Sequence, residues 1–166
     1  MLIITHVYSN STTMDTVTIT TRKNGKKIDS ECSIQECLRI IRTDRPIYFR
    51  IKSSEENYRT IVEEEIIALD YIEEQPNELC LLAVQKNSEA IDCIHDLDAF
   101  ISYLLLCEFD DESLSIITNL CCQRKIDILK DILKRLELQN IKNDDITKEI
   151  TLITDEIEKY TKLKQK

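Results

Sequence analysis

Residues 58–96 repeat themselves at a distance of 22 residues, and this short helical repeat constrains the fold more than any other feature of the chain. With that shift Val62 falls on Val84, Ala68 on Ala90, Asp70 on Asp92 and Ile72 on Ile94; Glu63 on Gln85 and Leu69 on Ile91 are near matches. A helical unit this short cannot bury its apolar face alone and stacks on a neighbour. No third copy continues in this register, because Ala90, Asp92 and Ile94 would fall on Glu112, Leu114 and Ile116. Either the array is short or the later helices have diverged into a cap.

The chain has one glycine and two prolines among 166 residues. Few sharp turns are available, which favours helices joined by short polar connections. The lone Gly25 follows Asn24, and Asn-Gly is the strongest short signal for a two-residue hairpin turn. Residues 16–21 (TVTITT) alternate like a strand, 26–29 make the returning strand, and 2–7 are a candidate third strand. Ser33-Ile34-Gln35-Glu36 has the form of a capping box, and Ile34, Cys37, Leu38 and Ile41 then recur at helical spacing. That helix ends near Thr43, ahead of Pro46, and residues 47–51 (IYFRI) read as a strand again.

From Glu55 onward the pattern is helical throughout. Expected helices cover 58–65 and 67–74, then one capped by Asn77 and one capped by Ser88, with Leu82 and Ile94 as core residues. Residues 98–109 read as a central buried helix. Residues from Asp110 or Asp111 through Cys121, and then 125–138 with Leu129, Ile132, Leu133 and Leu136 on one stripe, read as two more. The segment 113–136 lacks the Thr-Pro-Leu-His start and turn glycines of an ankyrin helix pair. In the last helix, 145–162, Ile146, Ile150, Ile153, Ile157 and Tyr160 follow the four-three alternation of a coiled-coil seam. Docking in cis on the Leu129–Leu136 stripe is favoured over a homodimer through this helix. The expected fold class is α+β, predominantly α: a small N-terminal β-hairpin/α/β unit (1–53), a stacked-helix repeat-like domain (54–140) and a C-terminal amphipathic helix (141–166).

Seven cysteines (32, 37, 80, 93, 107, 121 and 122) mostly sit in helical patterns beside Leu and Ile, where a thiol behaves as a small hydrophobe. Residues 1–7 are too short and polar for a signal peptide, so reduced thiols in a cytoplasmic setting are expected. The longest apolar run, 100–107, is about half of what a membrane span needs, so no membrane partner is expected.

The net charge of −9 is uneven. Residues 1–52 carry nine Lys/Arg against five Asp/Glu, a balance of +4; residues 53–166 carry 13 against 26, a balance of −13. The acidic part repels phosphates, so no nucleic-acid partner is expected. Arg22, Lys23, Lys26, Lys27, Arg39, Arg42, Arg45, Arg50 and Lys52 are either a solvated surface or a cationic face for an anion or acidic protein.

Candidates for chemistry are few. His6 and His95 are the only histidines, and His95 beside Asp96 and Asp98 reads as a surface residue. No Cys-x-x-Cys pair exists. The acidic runs Glu63-Glu64-Glu65 and Asp110-Asp111-Glu112 lack calcium-loop spacing. With one glycine, already used in a hairpin, no Gly-rich phosphate loop can form. No catalytic, cofactor-binding or metal-ligating residues are assigned, no cofactor is expected, and the chain is not expected to be an enzyme.

Residues 68–94 (ALDYIEEQPNELCLLAVQKNSEAIDCI) carry Ala68, Leu69, Tyr71 and Ile72, then Glu78, Leu79 and Cys80, then Ala83, Val84, Asn87, Ala90 and Ile94. On these residues the segment resembles a helical repeat domain of unknown function. That domain is found in giant DNA viruses of amoebae (the Mimivirus group) and in amoeba-associated bacteria. The resemblance implies a viral or amoeba-linked origin and a helical repeat fold, and it brings no catalytic residues. The expected function is a non-catalytic protein–protein interaction module acting through helical repeats on a host or viral partner. The alternative is a self-associating structural or virion assembly protein, and an enzyme with an unrecognised site is a third reading.

Overall fold

The structure, a computed structural model, describes residues 16–23, 25–44, 48–107, 112–138 and 144–164. The fold is α+β and predominantly α, with a small antiparallel sheet and one helix ahead of a run of helices. Two compact units are present, Met1–Glu74 and Gln75–Lys166. The division falls between the two repeat copies, whereas the sequence pattern places boundaries after residues 53 and 140.

In the first unit β1 (Thr16–Lys23) pairs antiparallel with β2 (Lys26–Ser33) and with β3 (Arg50–Lys52), giving the order β2-β1-β3. Lys23 pairs with Lys26, so the turn has two residues, and Gly25 holds a φ of 79° that L side chains rarely adopt. The returning strand is longer than the 26–29 expected. β3 is shorter than 47–51, because Tyr48 is still in a turn; the candidate strand 2–7 lies outside the described residues. Alternation puts Val17 and Ile19 of β1 and Ile51 of β3 on the buried face. Helix α1 (Ile34–Asp44) contacts β1 and β2 and buries Ile34, Cys37, Leu38 and Ile41. Its capping box is half made: the Glu36 N–H donates to Ser33 Oγ at 3.2 Å, but the Glu36 carboxylate takes Arg39 instead of the cap nitrogen.

Helix α2 (Glu55–Glu64) is followed by a 3-10 helix, Ile66–Tyr71. Helix α3 (Asn77–Lys86) is followed by a second, Ser88–Cys93. Every one of these bounds is displaced by 22 residues from one copy to the next. The connecting residues repeat too: Glu65 (φ −146°, ψ 98°) and Asn87 (φ −152°, ψ 121°) are extended, as are Ile72 and Ile94. The bonds keep the same register, with Glu65 N–H to Ile61 O matched by Asn87 N–H to Ala83 O, and Ile72 to Leu69 by Ile94 to Ile91. The repeat is thus an α-helix, one extended residue and a 3-10 helix. The second element is only six residues long, too short for apolar spacing to separate a 3-10 helix from an α-helix. A further ten-residue helix, α4 (Leu97–Leu106), follows 20 residues after α3 and closes with the same bond, Cys107 N–H to Tyr103 O.

Several local expectations change. Pro76 rather than Asn77 is the N-cap of α3. Asn87 rather than Ser88 caps the second 3-10 helix, its side chain accepting from the Glu89 N–H. Leu82 and Ile94 are half-buried, and the core positions of that copy are Leu79, Cys80, Ala83, Val84, Ala90 and Ile91. The two helices expected between residues 110 and 138 are one, α5 (Glu112–Leu138). No Gly or Pro interrupts residues 112–138, so nothing breaks the helix where the apolar pattern shifts.

The small residues at Ala68 and Ala90 are both buried, at 0% and 1% exposure. Ala68→Leu and Ala90→Leu should each cost about 1–3 kcal/mol by overpacking. Lys86→Ala, at an exposed position, should stay within about 0.5 kcal/mol. Urea midpoints of the three variants check this, and equal midpoints would show that the alanines are not packed as equivalent core positions.

Helix α6 (Asp144–Leu163) runs back along α5. Its seam is inward: Ile153 and Tyr160 are buried, and Ile146, Ile150 and Ile157 half-buried. On α5 the matching stripe is Cys122, Ile126, Leu129, Leu133 and Leu136, again spaced four and three. Ile132, placed on that stripe from the sequence, is 39% exposed.

Candidate interaction surfaces

The outward face of the sheet follows from the same alternation that builds the core. Thr18, Thr20 and Arg22 of β1 lie opposite Glu31, Asp29 and Lys27 of β2, and Thr18 and Thr20 lie opposite Lys52 and Arg50 of β3. Together with Tyr48 and Glu73 the middle of this face forms an open groove of about 270 Å³. Four cations, Arg22, Lys27, Arg50 and Lys52, meet two carboxylates there. Asp29 accepts a hydrogen bond from Thr20 at 2.7 Å, and Glu73 lies 3.8 Å from Lys52. Tyr48 is 61% exposed, with the Arg22 guanidinium 5.3 Å from its ring centre.

The other basic residues go elsewhere. Arg39 pairs with Glu36 within α1, and Arg42 reaches Glu65 at 3.0 Å and Glu64 at 3.7 Å, which also gives part of the Glu63–Glu65 run its partner. Lys23 and Lys26 stand at the hairpin end. Arg45, His6, Asp110 and Asp111 lie outside the described residues. Sequence alone grouped nine basic residues; strand register selects four.

The second unit offers a different surface. Asp98, in the first turn of α4, meets Lys125 of α5 at 2.6 Å, and Asp92 meets Arg124 at 2.6 Å. Arg124 and Lys125 thus stand between two stretches of apolar residues on α5, which continues to Leu138. Its apolar stripe runs through Leu114, Ile117 and Cys121, which are buried, to Ile128 and Ile132, which are exposed. Leu105 and Leu106 at the end of α4 are exposed as well.

Tyr160 of α6 donates a hydrogen bond to Asp98, so the Asp98 carboxylate joins α4, α5 and α6. Burial pushes Asp98 upward, but the bonds from Lys125 and Tyr160 outweigh it and hold the carboxyl below its ordinary range. Burial, followed by the bond to Asp98, raises the Tyr160 hydroxyl, which keeps it protonated near neutrality. A raised phenol stabilises the fold fully below its unfolded value near 10, and that contribution is lost as pH rises through the folded value. The lowered Asp98 contributes above its unfolded value and loses that contribution as pH falls through the folded one. Tyr160→Phe should cost about 1.5–3 kcal/mol, as for a bond to a charged group. It should also remove part of the loss of stability above pH 10. Denaturant midpoints at pH 7 and pH 10.5 test both, and an unchanged alkaline dependence would count against the bond.

No disulfide joins any of the seven cysteines. Burial pushes Cys37, Cys80 and Cys121 up to about 12, and raises Cys32 and Cys122. Thiols held in this way are not nucleophiles at neutral pH. His95 is exposed, with its backbone N–H donating to Gln75 Oε1 at 2.9 Å. Among the described residues no group of three or more His, Cys, Asp or Glu side chains is placed to hold a metal, and no helix is long and apolar enough to cross a membrane. Compared with known protein families, curated proteins and solved structures, the chain matches none.

Proposed function

We propose that this protein is a non-catalytic protein–protein interaction module built from helical repeats, of viral origin, acting on a host or viral partner inside the host cell. The observation that carries this reading is the apolar stripe of α5 that outruns its cover. Ile117 and Cys121 are 6% and 0% exposed, while Ile128 and Ile132 on the same stripe are 37% and 39% exposed. In a repeat array each unit covers the apolar face of its neighbour, so an uncovered continuation is where a further helix from a partner packs. The residual exposure of Leu105 and Leu106 fits the same use.

The test is an Ile128→Asp/Ile132→Asp double variant compared with the unaltered chain in pull-downs from infected amoebae, with sedimentation across a dilution series. A partner retained by the unaltered chain and lost by the double variant, both remaining monomeric and equally stable, supports the reading. A mass that rises with concentration and falls in the double variant favours the self-associating assembly protein instead. Retention of the same partner by both proteins rejects the α5 stripe as the contact.

A further inference from the structure

We propose that the outward face of the N-terminal sheet is a docking groove for an extended acidic segment of a protein partner, carrying carboxylates at alternate residues. The surface is distinct from the α5 stripe and belongs to the first unit, so this inference goes beyond the interaction reading given above and fails or holds independently of it.

Charge is the first reason. Arg22, Lys27, Arg50 and Lys52 converge on one groove of a chain whose net charge is −9. An acidic protein that gathers cations on one sheet face has a local attraction for anions which the remainder of its surface opposes. A long polyanion such as a nucleic acid would extend past the patch and meet that opposing field. A short acidic segment meets only the groove.

Spacing is the second reason. Arg50 and Lys52 are two residues apart on β3, and residues at that interval on one face are about 7 Å apart. Arg22 lies one strand over, two residues beyond the partner of Arg50, so the cations are spread out instead of closing on one point. A single phosphate or carboxylate spans too little to engage more than one or two of them. An extended peptide presents its own alternate side chains at the same interval of about 7 Å, so a Glu-x-Glu pattern meets the groove in register.

Volume is the third. Pockets that hold small molecules run from about 300 to 1,000 Å³ and enclose most of the ligand. A groove of about 270 Å³ that lies open on a sheet suits a chain laid across it better than an enclosed metabolite. Tyr48, exposed beneath Arg22, supplies an apolar plate for a neighbouring side chain. Two of the groove's own polar contacts leave it open: Arg50 Nη1 donates to the Phe49 carbonyl at 2.8 Å, and Lys52 stands 3.8 Å from Glu73 with its side chain 65% exposed.

The probe is a fluorescein-labelled peptide with Glu at alternate positions, followed by anisotropy with the full chain in low salt. The comparison ligands are the same peptide with Gln for Glu, an oligo-dT ten-mer and inorganic phosphate as competitor. The Glu peptide is expected to bind, to weaken as salt is added, and to lose at least tenfold in affinity with Arg22→Ala/Arg50→Ala. Arg39→Ala, an exposed arginine on α1 away from the groove, should leave binding unchanged. Arg22 and Arg50 are exposed, so the double variant should fold, and its thermal midpoint is measured beside the affinity. If the double variant is destabilised, Lys27→Ala/Lys52→Ala serves the same purpose. The proposal is overturned by no binding, by equal binding of the Gln peptide, by a groove variant that binds as well as the unaltered chain, or by tighter binding of oligo-dT. Competition by millimolar phosphate as effective as the unlabelled peptide would also overturn it, in favour of a single-anion site.

Discussion

Deleting residues 144–166 should cost the second unit on the order of 5 kcal/mol, with the mass of the protein remaining independent of concentration. Helix α6 covers one stripe of α5 with Ile153 and Tyr160 buried and Ile146, Ile150 and Ile157 half-buried. Fully burying a side chain of this size is worth about 1.5–3 kcal/mol, and half-burial about half of that. The deletion also uncovers Ile126 and Leu129, and takes away the Tyr160 bond to Asp98. Ordering twenty residues of helix opposes part of this gain, which is why the expected figure lies below the sum of the contacts. Against a typical domain stability of about 5–15 kcal/mol, such a loss takes a third or more of the stability of the second unit. Urea unfolding with sedimentation velocity at two concentrations reads both quantities. A folded monomer derived from a dimer would mean that the same isoleucines face a second copy, and an unchanged stability would mean that the seam is not a packing surface.

Phe49→Ala should destabilise the first unit by about 3–5 kcal/mol, the range for removing a fully buried phenylalanine. Phe49 is 0% exposed and meets Tyr71 edge to face, with ring centres 5.5 Å apart and planes at 84°. Because Tyr71 belongs to the first 3-10 helix, the cavity opens where the repeat meets the sheet layer, and Ile51 and Ile72 pair backbone to backbone at the same place. Tyr48→Ala, one residue away but 61% exposed, should change stability by less than about 1 kcal/mol. Thermal midpoints of the two variants side by side make the comparison, and similar values would show that Phe49 is not a core residue.

Local chemistry was enough for much of the fold. Gly25 needs a positive φ only at a turn of this kind, TVTITT suits only a pleated half-buried surface, and Ser33 followed by Glu36 marks a helix start whatever lies beyond it. The 22-residue shift was legible in part because Val62 and Val84, Ala68 and Ala90, and Leu69 and Ile91 are buried in both copies, where packing limits the residue type; Asp70 and Asp92 match although both are exposed. The four-three spacing of α6 likewise showed an apolar seam before any partner helix was known.

Tertiary structure decided the rest. Residues 66–71 and 88–93 are 3-10 and not α, because six residues between two extended connectors are too few for an α-helical stripe to dominate. Residues 112–138 form one helix that contacts both α4 and α6, so a change of apolar face along the sequence goes with a second neighbour and not with a break. Which helix the seam meets was open between cis and trans, and it packs on α5 of the same chain. The candidate groove shows the division most plainly. Nine basic residues were visible in the sequence, but charge has no periodicity of its own. Only strand register, which sets Arg22 beside Lys27 and Thr20 beside Arg50, brings four of them to one face, while Arg39 pairs within α1 and Arg42 pairs with Glu64 and Glu65 at the end of α2.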